Sequence, residues 1–289
     1  MVFVNLAFYK FIDFDAEELP ALKAELLAEC ARLGLRGTIL LAPEGLNGFV
    51  AGLPEAADLF KGFVQKLPKV GELFFKESES VEQPFTRMLV RLKREIISMG
   101  CPEVKPSHFT GPRVSPKELK KWLDEKREVI VLDTRNDYEV RLGTFTGALD
   151  LNLKTFRQFP AAVRELPADL KNKTIVSFCT GGIRCEKASA VLIKEGFTDV
   201  YQLDGGILKY FEDVGASHFD GECFVFDYRV AVDGTLKETG AVLCYNCQNP
   251  VSVTEQGSPQ YVREASCPHC FGKPKEHKEQ IAAELRAAL

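Results

Sequence analysis

Nine cysteines are the residues of this 289-residue chain that most clearly could do chemistry. One of them, Cys179, directly follows the apolar run Thr174–Phe178 and opens the loop Cys179-Thr180-Gly181-Gly182-Ile183-Arg184. Two glycines let such a loop curl so that its amides face inward and bind an anion at the start of the next helix. Those amides, the helix dipole and Arg184 all favour a thiolate, the nucleophilic form of cysteine. The pattern therefore predicts a catalytic Cys179 assisted by Arg184, and the alternative is a buried, inert cysteine.

A second cysteine, Cys185, follows this loop in the first turn of the helix predicted for Cys185–Glu195. A neighbouring thiol can resolve an oxidised or persulfidated cysteine by forming a disulfide with it. Cys185 is therefore a possible resolving cysteine for Cys179. The alternative is a helix residue that packs beneath the loop.

Four further cysteines form two pairs near the end of the chain, in the pattern Cys-x2-Cys-x19-Cys-x2-Cys. Two such pairs can converge on one tetrahedral zinc ion. Four thiolates leave no open coordination position, so the pattern predicts structural rather than catalytic zinc. Free thiols or a disulfide pair are the alternatives, and His269 is expected to be a spectator. The predicted ligands are Cys244, Cys247, Cys267 and Cys270.

The composition of the chain limits the class of protein and the compartment in which this chemistry is expected. The chain is 45% hydrophobic and 27% charged, which is ordinary for a globular protein. Its net charge of −4 means that any RNA contact must come from a local basic patch. No apolar run approaches the roughly 20 residues of a membrane helix, and no basic region precedes the first apolar run as in a secretory signal. With an odd number of cysteines, these features predict a cytoplasmic protein.

Three segments and one linker are expected to position the cysteines. Residues 1–97 follow the order β-α-β-β-α-β, which is typical of a ferredoxin-like (acylphosphatase-like) domain, with Pro43–Gly48 as a turn. The proline-rich residues 98–113 are expected to be a linker. Strands and helices alternate over residues 114–215, which predicts a parallel sheet with Cys179 at its carboxyl edge. Residues 216–289 form the predicted cysteine-rich segment.

A basic stripe on the last strand of the first domain is a possible RNA-binding surface. The strand period places Arg87, Arg91 and Lys93 on one side, opposite Met88, Val90 and Leu92. Such a stripe can follow a phosphate backbone, and the alternative is an ordinary solvated strand face. Lysines near the cysteine loop in sequence are expected to add positive charge around it. They are Lys171, Lys173, Lys187 and Lys194.

Several motifs of the central segment resemble a rhodanese domain. They are Asp133–Val140 (DTRNDYEV), Gly143–Asn152 (GTFTGALDLN), the Cys179 loop and Leu203–Gly206 (LDGG). The resemblance implies that Asp133, Arg135 and Glu139 have mainly structural roles, pairing across the loop. Six residues from Cys179 to Arg184 resemble the sulfur-handling form of this fold. Related phosphatases place the arginine one position later, where this chain has Cys185, so a phosphatase is disfavoured.

The similarity extends along essentially the whole chain. With Gly37–Gly48 (GTILLAPEGLNG) and the C-terminal CxxC…CPHC pattern, the sequence resembles the rhodanese-domain tRNA uridine-34 hydroxylase family. The fold class implied is α/β and α+β, multidomain: a ferredoxin-like domain, a rhodanese-like parallel-sheet domain and a small zinc-binding cysteine-rich segment. The activity implied is oxygen-dependent formation of 5-hydroxyuridine at the wobble position, with tRNA as partner and molecular oxygen as co-substrate.

Two other functions remain open at this point. One is a sulfurtransferase that carries a persulfide on Cys179. The other is a zinc-containing RNA-binding or scaffold protein, against which the intact Cys-Gly-Gly-Arg loop argues. The sequence has no GxGxxG or P-loop pattern, so no nucleotide cofactor is expected. No obligate protein partner is evident.

Overall fold

A computed structural model describes residues 2–273 of the chain. Its elements form a first sheet with two helices, a second sheet covered on both faces, and a C-terminal segment of short strands. The last part of the predicted cysteine-rich segment, residues 274–289, lies outside the described residues. The domain limits at residues 97, 113 and 215 stay predictions.

The elements of the first sheet and its helices are β1 (Phe3–Phe11), α1 (Leu19–Arg32), β2 (Arg36–Ala42), β3 (Gly45–Gly52), α2 (Pro54–Lys66), β4 (Phe75–Ser80) and β5 (Met88–Leu92). The sheet has the strand order β4-β1-β3-β2-β5. Strands β1, β2, β3 and β4 pair antiparallel, and β5 adds to β2 in parallel, so a ferredoxin-like core is extended by one edge strand.

The two helices cover only one face of this sheet. Along β1, Leu6 and Phe8 are buried against the helices, and the Phe8 ring lies 5.8 Å from that of Phe60 on α2. Strand alternation turns Tyr9 and Phe11 to the opposite face. An aromatic face of the first sheet is therefore left for the rest of the molecule to cover.

The turn predicted for Pro43–Gly48 is wrong in extent. Strand β3 already begins at Gly45 and pairs with β1 through Gly48. A Cβ atom at Gly45 would lie 2.1 Å from the carbonyl oxygen of Lys10, and one at Gly48 would lie 2.2 Å from the Phe8 ring. These glycines permit close approach of neighbouring groups within a sheet, a second use of glycine beside turns.

The elements of the central segment are β6 (Arg113–Val114), α3 (Pro116–Asp124), β7 (Val129–Asp133), α4 (Asp137–Leu142), β8 (Gly143–Phe145), β9 (Leu149–Asp150), α5 (Phe159–Arg164), β10 (Thr174–Phe178), α6 (Ile183–Lys194), β11 (Asp199–Leu203) and α7 (Gly206–Val214). They form the second sheet, which is parallel, with the order β6-β11-β10-β7-β9. Helices α3 and α7 pack on one face, and α5 and α6 on the other. Strand β10 is central, so Cys179 follows it at the middle of the carboxyl edge.

The predicted linker is packed along much of its length. Met99 and Val104 are buried in the core beneath α6. The amide of Gly111 donates to Ser189 Oγ at 3.0 Å, and the Gln202 side chain donates to the carbonyl oxygen of Gly111 at 2.8 Å. These contacts join the connecting chain to the second sheet and help to hold the first sheet in position.

As far as residue 273, the C-terminal segment contains short paired strands and one short helix. The elements are β12 (Phe219–Gly221), β13 (Cys223–Phe224), β14 (Ala231–Val232), β15 (Val242–Leu243), β16 (Pro250–Val251) and α8 (Val253–Gln256). Strand β12 pairs with β8 of the central segment, and the other strands form two small hairpins. Within residues 2–273, no helix is long and apolar enough to cross a membrane.

Candidate active site

The cysteine loop curls around the sulfur of Cys179. The backbone amide of Gly182 donates to Cys179 Sγ at 3.0 Å, and Gly182 has a φ of 95°, in the region that favours glycine. On the far side, the amide of Ile207 donates to the carbonyl oxygen of Cys179 at 2.9 Å. This approach requires Gly206, where a Cβ atom would lie 2.4 Å from that same oxygen. The start of α7 therefore holds the loop in place.

The pKa values of Cys179 and of Cys185, which follows the loop, are shifted in opposite directions. Burial alone would raise the pKa of Cys179, but a hydrogen bond from Cys185, the charge of Arg184 and the amides of Arg184 and Gly182 lower that pKa well below its ordinary value. Burial and the neighbouring thiolate raise the pKa of Cys185. At neutral pH the pair consists of a Cys179 thiolate and a Cys185 thiol that donates to it.

Buried ion pairs support the loop from below. Both Nη atoms of Arg184 donate to the Glu139 carboxylate, at 2.6 and 2.7 Å, and Arg135 pairs with Asp133 at 2.7 Å. All four side chains are at least 95% buried. The arrangement agrees with the structural roles implied for Asp133, Arg135 and Glu139. It also keeps the guanidinium of Arg184 in one orientation. The positive charge of Arg184 therefore acts on Cys179, while both Nη atoms donate to Glu139.

Cys179 lines a cavity of about 1250 Å³ between the loop and the aromatic face of the first sheet. Thr180, Gly181, Ile183 and Arg184 line the same wall as Cys179. The facing wall carries aromatic side chains, among them Tyr9, Phe11, Phe49 and Phe85. The volume exceeds the roughly 300–1000 Å³ typical of small-molecule pockets, so the cavity has room for more than one nucleotide.

Cations surround the cavity, but most are not the predicted ones. Of the predicted stripe, Lys93 lines the cavity, whereas Arg87 and Arg91 are exposed and are not among the lining residues. Their role in RNA binding stays a prediction. Sequence reasoning missed the other cationic residues of the lining, which are Lys10, Lys76, Arg94, Arg113, Arg157 and Lys209.

The expectation that Lys187 adds positive charge around the loop is wrong, because two carboxylates neutralise its charge. Lys187 is fully buried and its Nζ contacts Glu44 at 2.8 Å, Glu95 at 2.7 Å and the carbonyl oxygen of Ile97 at 3.0 Å. Since Glu44 and Glu95 belong to the first domain and its edge, this lysine ties the two sheets together across the cavity floor.

The same expectation is wrong for the other three lysines. Lys171 and Lys173 precede β10, whereas Cys179 follows it, so they lie at the opposite edge of the sheet. Lys171 donates to the carbonyl oxygen of Glu195, and Lys173 pairs with Glu128. Lys194 pairs with Glu103, so nearness in sequence did not produce nearness to the loop.

A polar cluster from four elements lines the cavity. Tyr9 on β1 donates to Glu186 on α6 at 3.3 Å, and Arg113 forms a short ion pair with the same carboxylate. Nearby, Lys76 on β4 donates to the carbonyl oxygen of Gly181 in the cysteine loop. The sequence contains one signal for this face: Tyr9 and Phe11 alternate with the core residue Phe8, which predicts aromatic side chains on both faces of β1.

The four C-terminal cysteines converge as the sequence predicts. Their sulfur atoms all lie within 4.8 Å of one another, with separations of 3.8 Å for Cys244–Cys270 and 3.6 Å for Cys247–Cys267. A tetrahedral ion with metal–sulfur bonds of about 2.3 Å requires sulfur separations of roughly 3.8 Å, whereas a disulfide requires about 2 Å. This buried group could therefore bind a metal ion. His269 is paired with Glu255 at 2.9 Å.

Comparison with known proteins agrees with this architecture. Residues 3–96 match the family model described as "UPF0176 acylphosphatase like domain", and residues 115–213 match the rhodanese-like domain. A protein of Cupriavidus necator is 48% identical over 98% of this chain and all of its own length. Relatives from Burkholderia pseudomallei and Burkholderia cenocepacia are 49% and 51% identical, over 99% and 93% of this chain and 100% and 98% of their own. All three are named tRNA uridine(34) hydroxylase, and this chain belongs to that family.

Proposed function

We propose that this chain hydroxylates carbon 5 of uridine 34 in tRNA and that Cys179 is the catalytic nucleophile. The observation that carries the proposal is a stabilised thiolate facing a large cavity with aromatic and cationic walls. The names of the relatives supply the base and the reaction. A sulfurtransferase also needs a reactive cysteine, but no feature of the cavity favours it over the hydroxylase.

The cavity suits a short single-stranded segment such as an anticodon loop. Bases stack on aromatic side chains, each worth about 1–3 kcal/mol, and Tyr9, Phe11 and Phe49 offer such surfaces in one wall. Lys93 and Arg94 directly follow β5 and line the cavity, where they can contact phosphates. Turning an unpaired loop base toward Cys179 costs a few kcal/mol at most.

The thiolate makes carbon 5 of the base reactive. Cys179 Sγ adds to carbon 6, and the electron pair of the carbon 5–carbon 6 double bond moves toward the carbonyl at carbon 4. The resulting enolate is electron-rich at carbon 5, where oxygen can add. Arg184 acts as a positioning residue, since its charge holds Cys179 ionised while Glu139 engages its Nη donors.

Cys179 and Cys185 can supply the two electrons that the reaction needs beyond those from the base. Oxygen adds at carbon 5 to give a hydroperoxide, and the Cys185 thiol takes its distal oxygen as a sulfenic acid, leaving a hydroxyl on carbon 5. Loss of the carbon 5 proton expels Cys179 and restores the double bond. Condensation of the two cysteines then releases water. In total, uridine, one O2 and two thiols give 5-hydroxyuridine, water and a Cys179–Cys185 disulfide, which an external thiol must reduce.

We further propose that the four-cysteine group binds one structural zinc ion. Zinc prefers thiolates in tetrahedral array, and the sulfur separations fit that geometry. A closed set of four ligands leaves no position for substrate, so zinc would stabilise the segment that contacts α4 rather than take part in the reaction. The proposed location is the cytoplasm, which contains tRNA.

The proposal is tested with purified protein, an unmodified tRNA transcript, a thiol reductant and 18O2. The expected result is 5-hydroxyuridine at position 34 that carries one 18O atom, read by mass spectrometry of the digested tRNA. A transcript with cytidine at position 34 is the control. Unlabelled product would contradict oxygen as the co-substrate. Sulfur transfer to an acceptor without change at uridine 34 would support the sulfurtransferase instead.

A further inference from the structure

Lys76 differs from three of the cations that line the cavity, because it contacts the cysteine loop without an ion pair. Arg184 is paired with Glu139, Arg113 with Glu186, and Lys209 with Asp213. Lys76 Nζ instead donates to the carbonyl oxygen of Gly181 and lies 5.9 Å from the centre of the Tyr9 ring. Within residues 2–273 it forms no ion pair with a carboxylate. The first domain therefore presents a half-buried positive charge, without a bonded counter-ion, to the cysteine loop.

The proposed chemistry develops negative charge on a base next to Cys179, and Lys76 contacts the loop that carries this cysteine. Addition of the Cys179 thiolate to carbon 6 transfers negative charge to the base, and a donor placed beforehand stabilises such charge most effectively. Arg184 is poorly suited to this task because both of its Nη atoms are bound to Glu139. Lys76 contacts the loop that carries Cys179, and a carbonyl oxygen is a partner that a more strongly charged oxygen can replace.

We propose that Lys76 is a catalytic residue whose ammonium group contacts the uracil base and stabilises the oxyanion formed when Cys179 adds to carbon 6. This inference rests on the proposed hydroxylase function. It makes the active site a composite of the two sheets, because the nucleophile comes from the second sheet and the cation from the first. It also supplies a reason why the two domains are held together by a buried lysine, Lys187.

The pKa of Lys76 predicts how the reaction rate should depend on pH. Burial lowers the pKa of Lys76 to about 8, although the Cys179 thiolate opposes that shift. The ammonium form is therefore present below about pH 8 and is lost above it, whereas the Cys179 thiolate is lost only in acid. The titratable or charged groups around Lys76 are Tyr9, Arg113, Cys179, Cys185 and Asp204.

The test compares Lys76→Gln and Lys76→Arg in the full-length protein. With saturating tRNA, we expect Lys76→Gln to lower the single-turnover rate constant roughly 100-fold or more, while the tRNA dissociation constant changes less than about 3-fold. Lys76→Arg should recover part of the rate and remove its decline above pH 8, because arginine stays charged. Lys61→Gln is the matched control, since Lys61 lies in the same domain but pairs with Asp58 and Glu77.

The outcomes separate the inference from the function on which it rests. If wild-type protein forms no 5-hydroxyuridine, the proposed function fails. If wild-type protein is active and Lys76→Gln only weakens tRNA binding, Lys76 contacts phosphate and the inference is overturned. Should Lys76→Gln fail to fold, the pH profiles decide: a wild-type rate without an alkaline decline, or the same decline in Lys76→Arg, would also overturn it.

Discussion

Two groups of cysteines in this protein are equally buried but differ in their surroundings. Cys179 and Cys185 are 1% and 0% exposed, and Cys244 and Cys267 are 2% and 0% exposed. The first pair lies at the edge of a parallel sheet, where Cys179 lines a large cavity. The second group is directed inward, with its four sulfur atoms against one another. Burial alone therefore does not distinguish a reactive cysteine from a structural one.

The partners of each sulfur account for the difference. Cys179 receives a hydrogen bond from a backbone amide and lies beside the guanidinium of Arg184, so its thiolate is stabilised without a metal. The C-terminal sulfurs have mainly one another as neighbours, and four thiolates so close together would repel without a cation. One environment leaves the thiolate available for a substrate, and the other requires an ion.

The largest expected effect concerns the metal group. Cys267→Ser removes one of four ligands, and structural zinc can contribute about 10 kcal/mol to local folding. We expect the C-terminal segment to lose its protection from protease while the two sheets keep theirs. Metal analysis and limited proteolysis measure this, with Cys101→Ser, a cysteine outside both groups, as the control. Wild-type protein purified without chelator that contains no metal would rule out the site.

The second-largest expected effect concerns Cys179. Cys179→Ser keeps the size of the side chain but removes the thiolate, so the rate of 5-hydroxyuridine formation should fall about 1000-fold or more. The loop amides and buried ion pairs remain, so the melting temperature should stay within a few degrees of that of wild-type protein. A variant that turns over at the wild-type rate would show that the reactive thiol lies elsewhere.

The smallest expected effect is a difference in how the alkylation rates of Cys179 and Cys101 depend on pH. A thiol with an ordinary pKa of about 8.5 gains roughly 20-fold in thiolate between pH 7 and pH 9. Because the pKa of Cys179 is lowered, its thiolate is already formed at pH 7, and its alkylation rate should change less than about 3-fold over this range. Cys101, whose pKa is raised by burial, should show the steep increase. If peptide mapping showed that the two alkylation rates depend equally on pH, the lowered pKa of Cys179 would be contradicted.

Much of the site could be predicted from local sequence. The Cys179 loop combines a buried strand, two glycines and an arginine within eleven residues, and each of those features acts through neighbours in the chain. The same holds for the paired cysteines, whose spacing already limits the geometry of a metal site. The order of elements in the first domain was sufficient for the ferredoxin-like fold, which the strand order confirms.

The cavity could not be predicted in the same way, because its walls come from residues far apart in sequence. Lys76 and Gly181 are in contact although 105 positions separate them. Lys187 is next to the loop in sequence, yet it is directed toward Glu44 and Glu95 of the other domain. Which face of the first sheet is covered, and by what, depends on how the two sheets dock, and strand periodicity does not report that.

The most direct test of the central claim, that Cys179 acts on the wobble base, is covalent trapping followed by peptide mapping. The protein is incubated with an anticodon stem-loop RNA that carries 5-fluorouridine at position 34, then digested and analysed by mass spectrometry. We expect an adduct of the base on the peptide that contains Cys179, and none on the peptides of the four C-terminal cysteines. No adduct under conditions that turn over the uridine RNA, with sulfane sulfur found on Cys179 instead, would contradict the account and favour a persulfide as the reactive species.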